Sequence, residues 1–219
     1  MSADRTIIGC ILAGGQSRRM GGGDKTLKRL GDRPMLDHVI DRLAAQVPSL
    51  FLNANGDPKR LAAFGLPVVA DRITGYAGPL AGLSAAMTWA AEKHPNATHL
   101  ITVAADTPFF PHDLANRLDA AQARPEGIAM ATSGGHRHPV FALWPLSLRH
   151  HLADWMAETD TYKVIVWARL HALALVDFPM IPTEAGTIDP FFNVNTPEDL
   201  STAETLLGQI PAGHARENT

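Results

Sequence analysis

Cysteine occurs once in the 219 residues, at Cys10. A single thiol forms no intrachain disulfide and supplies no cysteine-based metal cluster, so the fold must rest on an apolar core, and a reducing cytosol is the expected setting. Cys10 stands inside an apolar run, where a packing role is expected rather than a reactive thiol. Apolar stretches of about 18 residues are missing, which leaves no candidate membrane span. The N-terminus lacks the basic-then-apolar order of a signal peptide, and cytoplasmic location without membrane association is the expectation. A strong charge bias is missing too: 19 Lys and Arg against 22 Asp and Glu give a formal net charge of −3. That balance excludes nucleic-acid binding through bulk charge. No internal repeat or low-complexity block interrupts the chain.

What is present reads as an ordinary globular protein, 46% hydrophobic and 19% charged. The length suits one domain over residues 1–208, followed by a polar, flexible tail over 209–219. Strand-like and helix-like segments alternate, which predicts an α/β fold: a three-layer arrangement, with a mostly parallel twisted sheet carrying helices on both faces. Strands are expected over 6–12, 50–55, 66–71, 98–106, 127–133, 138–144, 172–178 and 191–195. Helices are expected over 34–47, 78–93, 111–122, 145–157 and 161–170, with a short one ending at Gly65. A last helix opens with Thr196 as N-cap and Pro197 as its first residue. Trp89, Trp144, Trp155 and Trp167 are read as packing residues.

Charge is unevenly placed. Arg5, Arg18, Arg19, Lys25, Lys28, Arg29 and Arg33 fall in the first 33 residues, opposed only by Asp4, Asp24 and Asp32. Within this region lies ILAGGQSRRMGGGDKTL (11–27), five glycines interleaved with Arg18, Arg19 and Lys25. Glycine lets backbone N–H groups approach an anion closely, and the basic side chains neutralise it. A small anionic ligand fits better than a polymer. The loop is not a Walker A motif, because Asp24 rather than glycine precedes Lys25. Nor is it a Rossmann fingerprint: Thr26 takes the place of the third glycine, and the second strand ends in Asn53 rather than an acid.

Three expected strands end in Asn53, Asp71 and Asp106. Ligands of open α/β sheets lie outside the carboxyl ends of the strands, so these residues and the glycine loop are expected to face one crevice. Read in isolation, Asn53 and Asp71 serve as turn residues or as ligand groups, and Asp106 as a turn cap or a metal ligand; its strand-end position favours the metal. His136 and His138 lie two apart with no third ligand nearby and read as polar surface rather than a metal site.

The loop resembles the signature L-A-G-G-x-S-x-R-M-G followed by D-K of the molybdenum cofactor guanylyltransferase family, matched by Leu12, Ala13, Gly14, Gly15, Ser17, Arg19, Met20, Gly21, Asp24 and Lys25. Further stretches follow in that family's order: LNAN (52–55), GPLAGL (78–83), DTPFFP (106–111), HPVFAL (138–143) and NVNTPEDL (193–200). The resemblance spans roughly residues 7 to 207; KRLGDRP after the Asp-Lys pair is more charged than usual, and TYKVIVWARL matches loosely.

What the resemblance implies is transfer of GMP from GTP to the terminal phosphate of molybdopterin, with or without bound molybdenum, releasing pyrophosphate and using Mg²⁺. It implies nucleotide contacts at Leu12, Ala13, Gly14 and Gly15, a phosphate ligand at Lys25, guanosine-side groups at Asn53 and Asp71, and the Mg²⁺ ligand at Asp106. Asn193 and Asn195 fall near the metal and the pterin, and His138 is assigned to the pterin pocket. Arg19, Lys25 and Asp106 are the expected catalytic groups. Other molybdenum-cofactor biosynthesis proteins and recipient molybdoenzymes are the implied partners. The rival readings are a molybdopterin cytidylyltransferase or sugar-phosphate nucleotidyltransferase, a non-catalytic nucleotide-binding module, and an interaction protein. Related cytidylyltransferases tend to carry L-A-A-G, so Gly14-Gly15 favours guanine.

Overall fold

Ile7–Leu12 (β1) sends alternate side chains to opposite faces of a sheet, and both faces are covered. The computed structural model describes residues 5–14, 25–71, 78–122, 124, 126–184 and 186–209; of Lys25 it describes the backbone. Gly15, Arg19 and the tail residues 210–219 lie outside the described residues.

A single-turn 3₁₀ segment (Lys25–Leu27) leads to a small hairpin, β2 (Arg29–Leu30) and β3 (Arg33–Pro34), and then to α1 (Met35–Ala44). The chain continues through β4 (Leu50–Asn53), a 3₁₀ stretch (Pro58–Phe64), β5 (Val68–Val69), α2 (Pro79–Lys93), β6 (His99–Ala104) and α3 (Leu114–Ala121). It then forms β7 (Ile128–Ser133), β8 (His136–Pro145), α4 (Arg149–Glu158), α5 (Val164–Ala168) and β9 (Leu173–Asp177). A second hairpin, β10 (Ile181–Thr183) and β11 (Gly186–Ile188), precedes α6 (Pro197–Leu207).

The seven-stranded sheet has the order β5-β4-β1-β6-β8-β7-β9. β5, β4, β1 and β6 run parallel; β8 is antiparallel to both its neighbours, and β9 is parallel to β7. This is the mostly parallel, three-layer α/β arrangement expected from the alternation of elements. Ile11, Ile101, Val103, Ala129 and Leu143 face the layer of α1 and α3, whose Leu36, Val39, Leu43, Leu114 and Leu118 complete that core. Ile8, Cys10, Leu100, Met130 and Trp144 face the other layer, against Leu80, Leu83 and Met87 of α2, Leu152 of α4 and Trp167 of α5. Cys10 is fully buried, and burial raises its thiol pKa far above the usual range, so it packs as a hydrophobe.

A third cluster lies apart from the sheet faces. Leu30 and Met35 meet Phe109, Val194, Ala203 and Leu206, so α6 closes over the β2–β3 hairpin. A capping box begins α6: Thr196 accepts from the Asp199 amide, and the Asp199 carboxylate accepts from the Thr196 amide at 2.9 Å.

Two expectations change. FFNVN (191–195) is not a strand but an irregular segment. Its amides bond in several directions, Phe192 to Asp189, Val194 to the Asp106 carbonyl and Asn195 to the Asp199 side chain, and no strand pairs with it among the described residues. The β2–β3 and β10–β11 hairpins were not expected; β2 and β3 have two residues each, too short to show any alternation. Asp71 stands two residues past the end of β5, whose strand is shorter than the apolar run.

His38 joins α1 to the first hairpin. Its Nε2 donates to the Leu30 carbonyl at 2.9 Å, and its Nδ1 accepts from Arg33 at 3.3 Å, which fixes a neutral ring. Burial lowers its pKa from the ordinary 6.5; the Leu30 carbonyl opposes that shift and Arg33 reinforces it. A histidine held neutral by folding contributes stability at neutral pH that is lost as the solution becomes acidic. The denaturant midpoint is therefore expected to fall between about pH 7 and 5, and His38→Gln to flatten part of that slope. An unchanged slope in the variant would show that His38 is not among its sources.

Candidate active site

The parallel register decides where the chain leaves the sheet. Leu12 stands beside Asn53 in β4 and beside Ala104 in β6, and Asn53 stands beside Val69 in β5. All four strands end at one edge, and three further ladder bonds carry the pairing past their ends: Ala13 to the Asn53 carbonyl (2.8 Å), Ala54 to Val69 (2.9 Å) and Ala105 to Leu12 (3.1 Å). Ala13, Asn53, Asp71 and Asp106 are thereby brought to that edge. Gly14 is exposed, with open space where a side chain would project.

Asn53 is buried, and its Nδ2 donates both hydrogens inward, to the Val69 carbonyl (3.1 Å) and Asp71 Oδ1 (2.9 Å). Asn55 donates from Nδ2 to Asp71 Oδ2 at 2.7 Å, while its Oδ1 accepts from the Asp71 amide at 2.9 Å. The sequence suggested an amide offering both donor and acceptor to a base edge. The structure uses both donors internally and leaves Asn53 Oδ1 as the amide's remaining polar atom. Asn55, inside the LNAN stretch, is a partner of Asp71 that sequence reasoning passed over, because nothing in the pattern showed that it would bracket Asp71.

Asp106 follows β6 and is half-buried. Its backbone carbonyl accepts from the Val194 amide at 2.9 Å, which seats the 189–196 segment beside it. The wholly buried Thr107 has its hydroxyl 3.3 Å from Asp106 Oδ1 and in a short hydrogen bond to Asn193 Oδ1. Asn193 thus joins Asp106 through Thr107. Asn195 is exposed, one residue before the N-cap of α6.

The N-terminal part of β8 passes the carboxyl end of β6, because the two strands are antiparallel from the Thr102–Ala142 pair onward. His138 lies in that part. Its Nε2 is 2.7 Å from Ser133 Oγ, and its ring stacks on Phe191 at 4.3 Å. Burial lowers its pKa from the ordinary 6.5; Asp189 opposes the shift and His136 adds to it. Ser133 and Asp189 are further neighbours that no sequence spacing pointed to, 56 positions apart.

Lys25 opens the 3₁₀ turn that packs on α1, which in turn packs on β1. Among the described residues no group of three or more His, Cys, Asp or Glu could hold a metal by itself. The donors present beside Asp106 are oxygens, from a carboxylate and the Asn193 amide, a set that suits a hard cation completing its shell from phosphates and water.

A doubly wound sheet whose polar groups leave from parallel strand ends has the architecture of nucleotide-binding α/β proteins. Within that class the chain belongs to the MobA-like NTP transferase domain family, which matches residues 9–184. It is 49% identical over 206 residues to the molybdenum cofactor guanylyltransferase of Bradyrhizobium sp. (strain ORS 278), covering 94% of this chain and 95% of that one. Among solved structures, molybdopterin-guanine dinucleotide biosynthesis protein A from Archaeoglobus fulgidus superposes with a TM-score of 0.69 at 18% identity, covering 92% of this chain and 98% of that chain. Rv0371C from Mycobacterium tuberculosis H37Rv, solved in complex with manganese, gives a TM-score of 0.64 at 19% identity over 93% and 100% of the two chains. These two likenesses establish the fold.

Gly82 in α2 faces the Asn53 amide so closely that a Cβ there would stand 2.4 Å from Asn53 Oδ1 and 3.3 Å from Leu12 Cδ2. A helix interior favours Ala over Gly by about 1 kcal/mol, yet Gly82→Ala is expected to destabilise this chain, because the Asn53 amide is held by two hydrogen bonds and resists displacement. In an Asn53→Ala background the same substitution becomes stabilising. Urea unfolding of the four chains measures the coupling. A stabilising Gly82→Ala in the parent background would show that the amide yields freely.

Proposed function

We propose that this chain transfers GMP from GTP to the terminal phosphate of molybdopterin, forming the guanine dinucleotide and pyrophosphate. The observation that carries this reading is the convergence of Asn53, Asp71 and Asp106 at the strand ends that follow from the register of β1 with β4 and β6, in a chain whose relative at 49% identity is named a molybdenum cofactor guanylyltransferase.

The attacking group needs no general base. A phosphomonoester has its second pKa near 6, so its oxygen is already largely anionic at neutral pH. The requirement is to bring two anions together and to stabilise charge on the departing pyrophosphate, which positioning and cations accomplish. In this reading Arg19 and Lys25 neutralise the β- and γ-phosphates, and main-chain N–H groups from Gly14 onward bind the non-bridging oxygens. Leu12, Ala13 and Gly15 contribute backbone to the same cradle. Asp106 would hold Mg²⁺, beside Asn193, whose side-chain oxygen accepts the Thr107 hydroxyl proton. A bound Mg²⁺ would supply charge neutralisation across the α-phosphate and the leaving group.

At the base end, Asn53 Oδ1 is an acceptor held in place by Val69 and Asp71. Guanine presents the N1–H and N2–H₂ donors such an acceptor needs. Asp71 has further acceptor capacity for an amino group or a ribose hydroxyl. Asn195 belongs to the pterin side, which His138 adjoins through the ring of Phe191. Among the described residues no helix is long and apolar enough to cross a membrane, and we infer action in the cytoplasm on small-molecule substrates, with the product passed to molybdoenzymes.

Incubation with GTP, Mg²⁺ and molybdopterin, followed by mass detection of the dinucleotide, tests the reaction. Asp106→Ala and Lys25→Ala are each expected to lower pyrophosphate release about a hundredfold or more while leaving the unfolding transition in place. Release near the parent rate in both would remove them from the mechanism. CTP outcompeting GTP would replace the guanine assignment with a cytidylyl one.

A further inference from the structure

A Ser-His-Asp set stands at the active edge and is wired unlike a hydrolase triad. Ser133 Oγ donates to Asp189 Oδ1 at 2.6 Å, and a second donor, the Phe191 amide, reaches the same oxygen at 2.8 Å. The serine has a single proton, so His138 Nε2, 2.7 Å from that hydroxyl, must donate to it. Asp189 Oδ2 lies 3.7 Å from the same nitrogen. The serine therefore has its proton turned toward the acid, not toward the imidazole, and no nucleophile is activated.

The sheet is built to deliver His138 to this spot. Met130 pairs with Ala142 and Thr132 with Arg137, so residues 138–141 of β8 stand opposite Ala131 alone. That bulge bends the strand and re-aims its side chains. Thr102 fixes it, accepting from Trp144 Nε1 at 2.9 Å and donating to the Val140 carbonyl at 2.6 Å. Phe191 then sits between the stacked His138 ring, Phe141 at 4.8 Å and Phe178 at 5.5 Å.

Asp189 and Phe191 begin the segment that two residues later carries Asn193, bound to Thr107, and Val194, bound to the Asp106 carbonyl. We propose that Ser133, His138 and Asp189 form a latch that positions the 189–195 segment, holding Asn193 and Asn195 at Asp106 for the incoming phosphate acceptor. The inference rests on the guanylyl-transfer reading for the identity of that acceptor. These three are positioning residues, acting through Phe191 and Asn193 rather than on substrate.

The donor at Nε2 makes the latch testable. A Gln amide reaches the place of Nε2, whereas an Asn amide reaches only that of Nδ1. His138→Gln, which restores the donor, is expected to keep the parent's amide protection at Val194 and Asn195 and to lose less molybdopterin affinity than His138→Asn. His138→Asn is expected to raise the molybdopterin KM about tenfold or more, with the GTP KM within about twofold of the parent. Equal losses in the two variants, a GTP KM that rises in step, or no change in either overturns the latch. If His138→Asn does not fold, Ser133→Ala is judged on the same split between the two substrates. Two readouts are independent of turnover: imidazole ¹⁵N shifts should show His138 protonated at Nε2, and amide exchange at Val194 and Asn195 should quicken in His138→Asn and Ser133→Ala but not in His138→Gln. An Nδ1–H ring or unchanged exchange overturns the proposal in a chain of any activity. An active-edge latch with these signatures in a parent chain that makes no dinucleotide would instead overturn the guanylyl-transfer reading alone.

Discussion

The pairing of β1 between β4 and β6 is the constraint on which the rest depends. With Leu12 level with Asn53 and Ala104, the polar residues that follow each strand are delivered to a common edge. That register is fixed by apolar packing rather than by the polar groups themselves. Ile8 and Cys10 must face α2 while Ile11 faces α1 and α3, and a shift of one residue would reverse every side chain. Site geometry is thus a consequence of the core.

At the edge, polar groups are held by other polar groups before any ligand arrives. Asn53 and Asn55 grip both oxygens of Asp71, and Thr107 links Asp106 to Asn193. Side chains already satisfied in one orientation need little reorganisation when charge develops near them, which is where electrostatic stabilisation is most effective. The two halves of the site differ in how they are built. The group around Asp71 comes from adjacent parallel strands. The group around Asp106 and His138 is assembled from β6, β7, β8 and an irregular segment far along the chain.

That difference explains what could be read from residues alone. The first strand, the Ala-rich helix and the strand before Asp106 are local patterns of one period, and their expected spans match the structure to within two residues. The common edge was legible because strand ends and polar residues coincide in the sequence. FFNVN carries the aromatic and apolar composition of a strand but pairs with none among the described residues, its amides going to Asp189, Asp106 and Asp199. Ser133, Asp189 and Asn55 were not legible: each acts through a contact made only by tertiary packing, and a lone serine or aspartate has no periodicity. His138 drew notice through its neighbour His136, yet its partners come from a serine five residues back and an acid 51 residues ahead.

The third cluster has a bearing on how the molecule is made. Leu30 and Met35, wholly buried here, are covered by Val194, Ala203 and Leu206. A chain ending before residue 194 would hold all seven strands but leave those two side chains with Phe109 as their only buried cover from that cluster, and Asp106 without the amide that braces its carbonyl. The sheet can therefore form without α6, whereas the polar edge at Asp106 is braced only once the segment leading into that helix has docked.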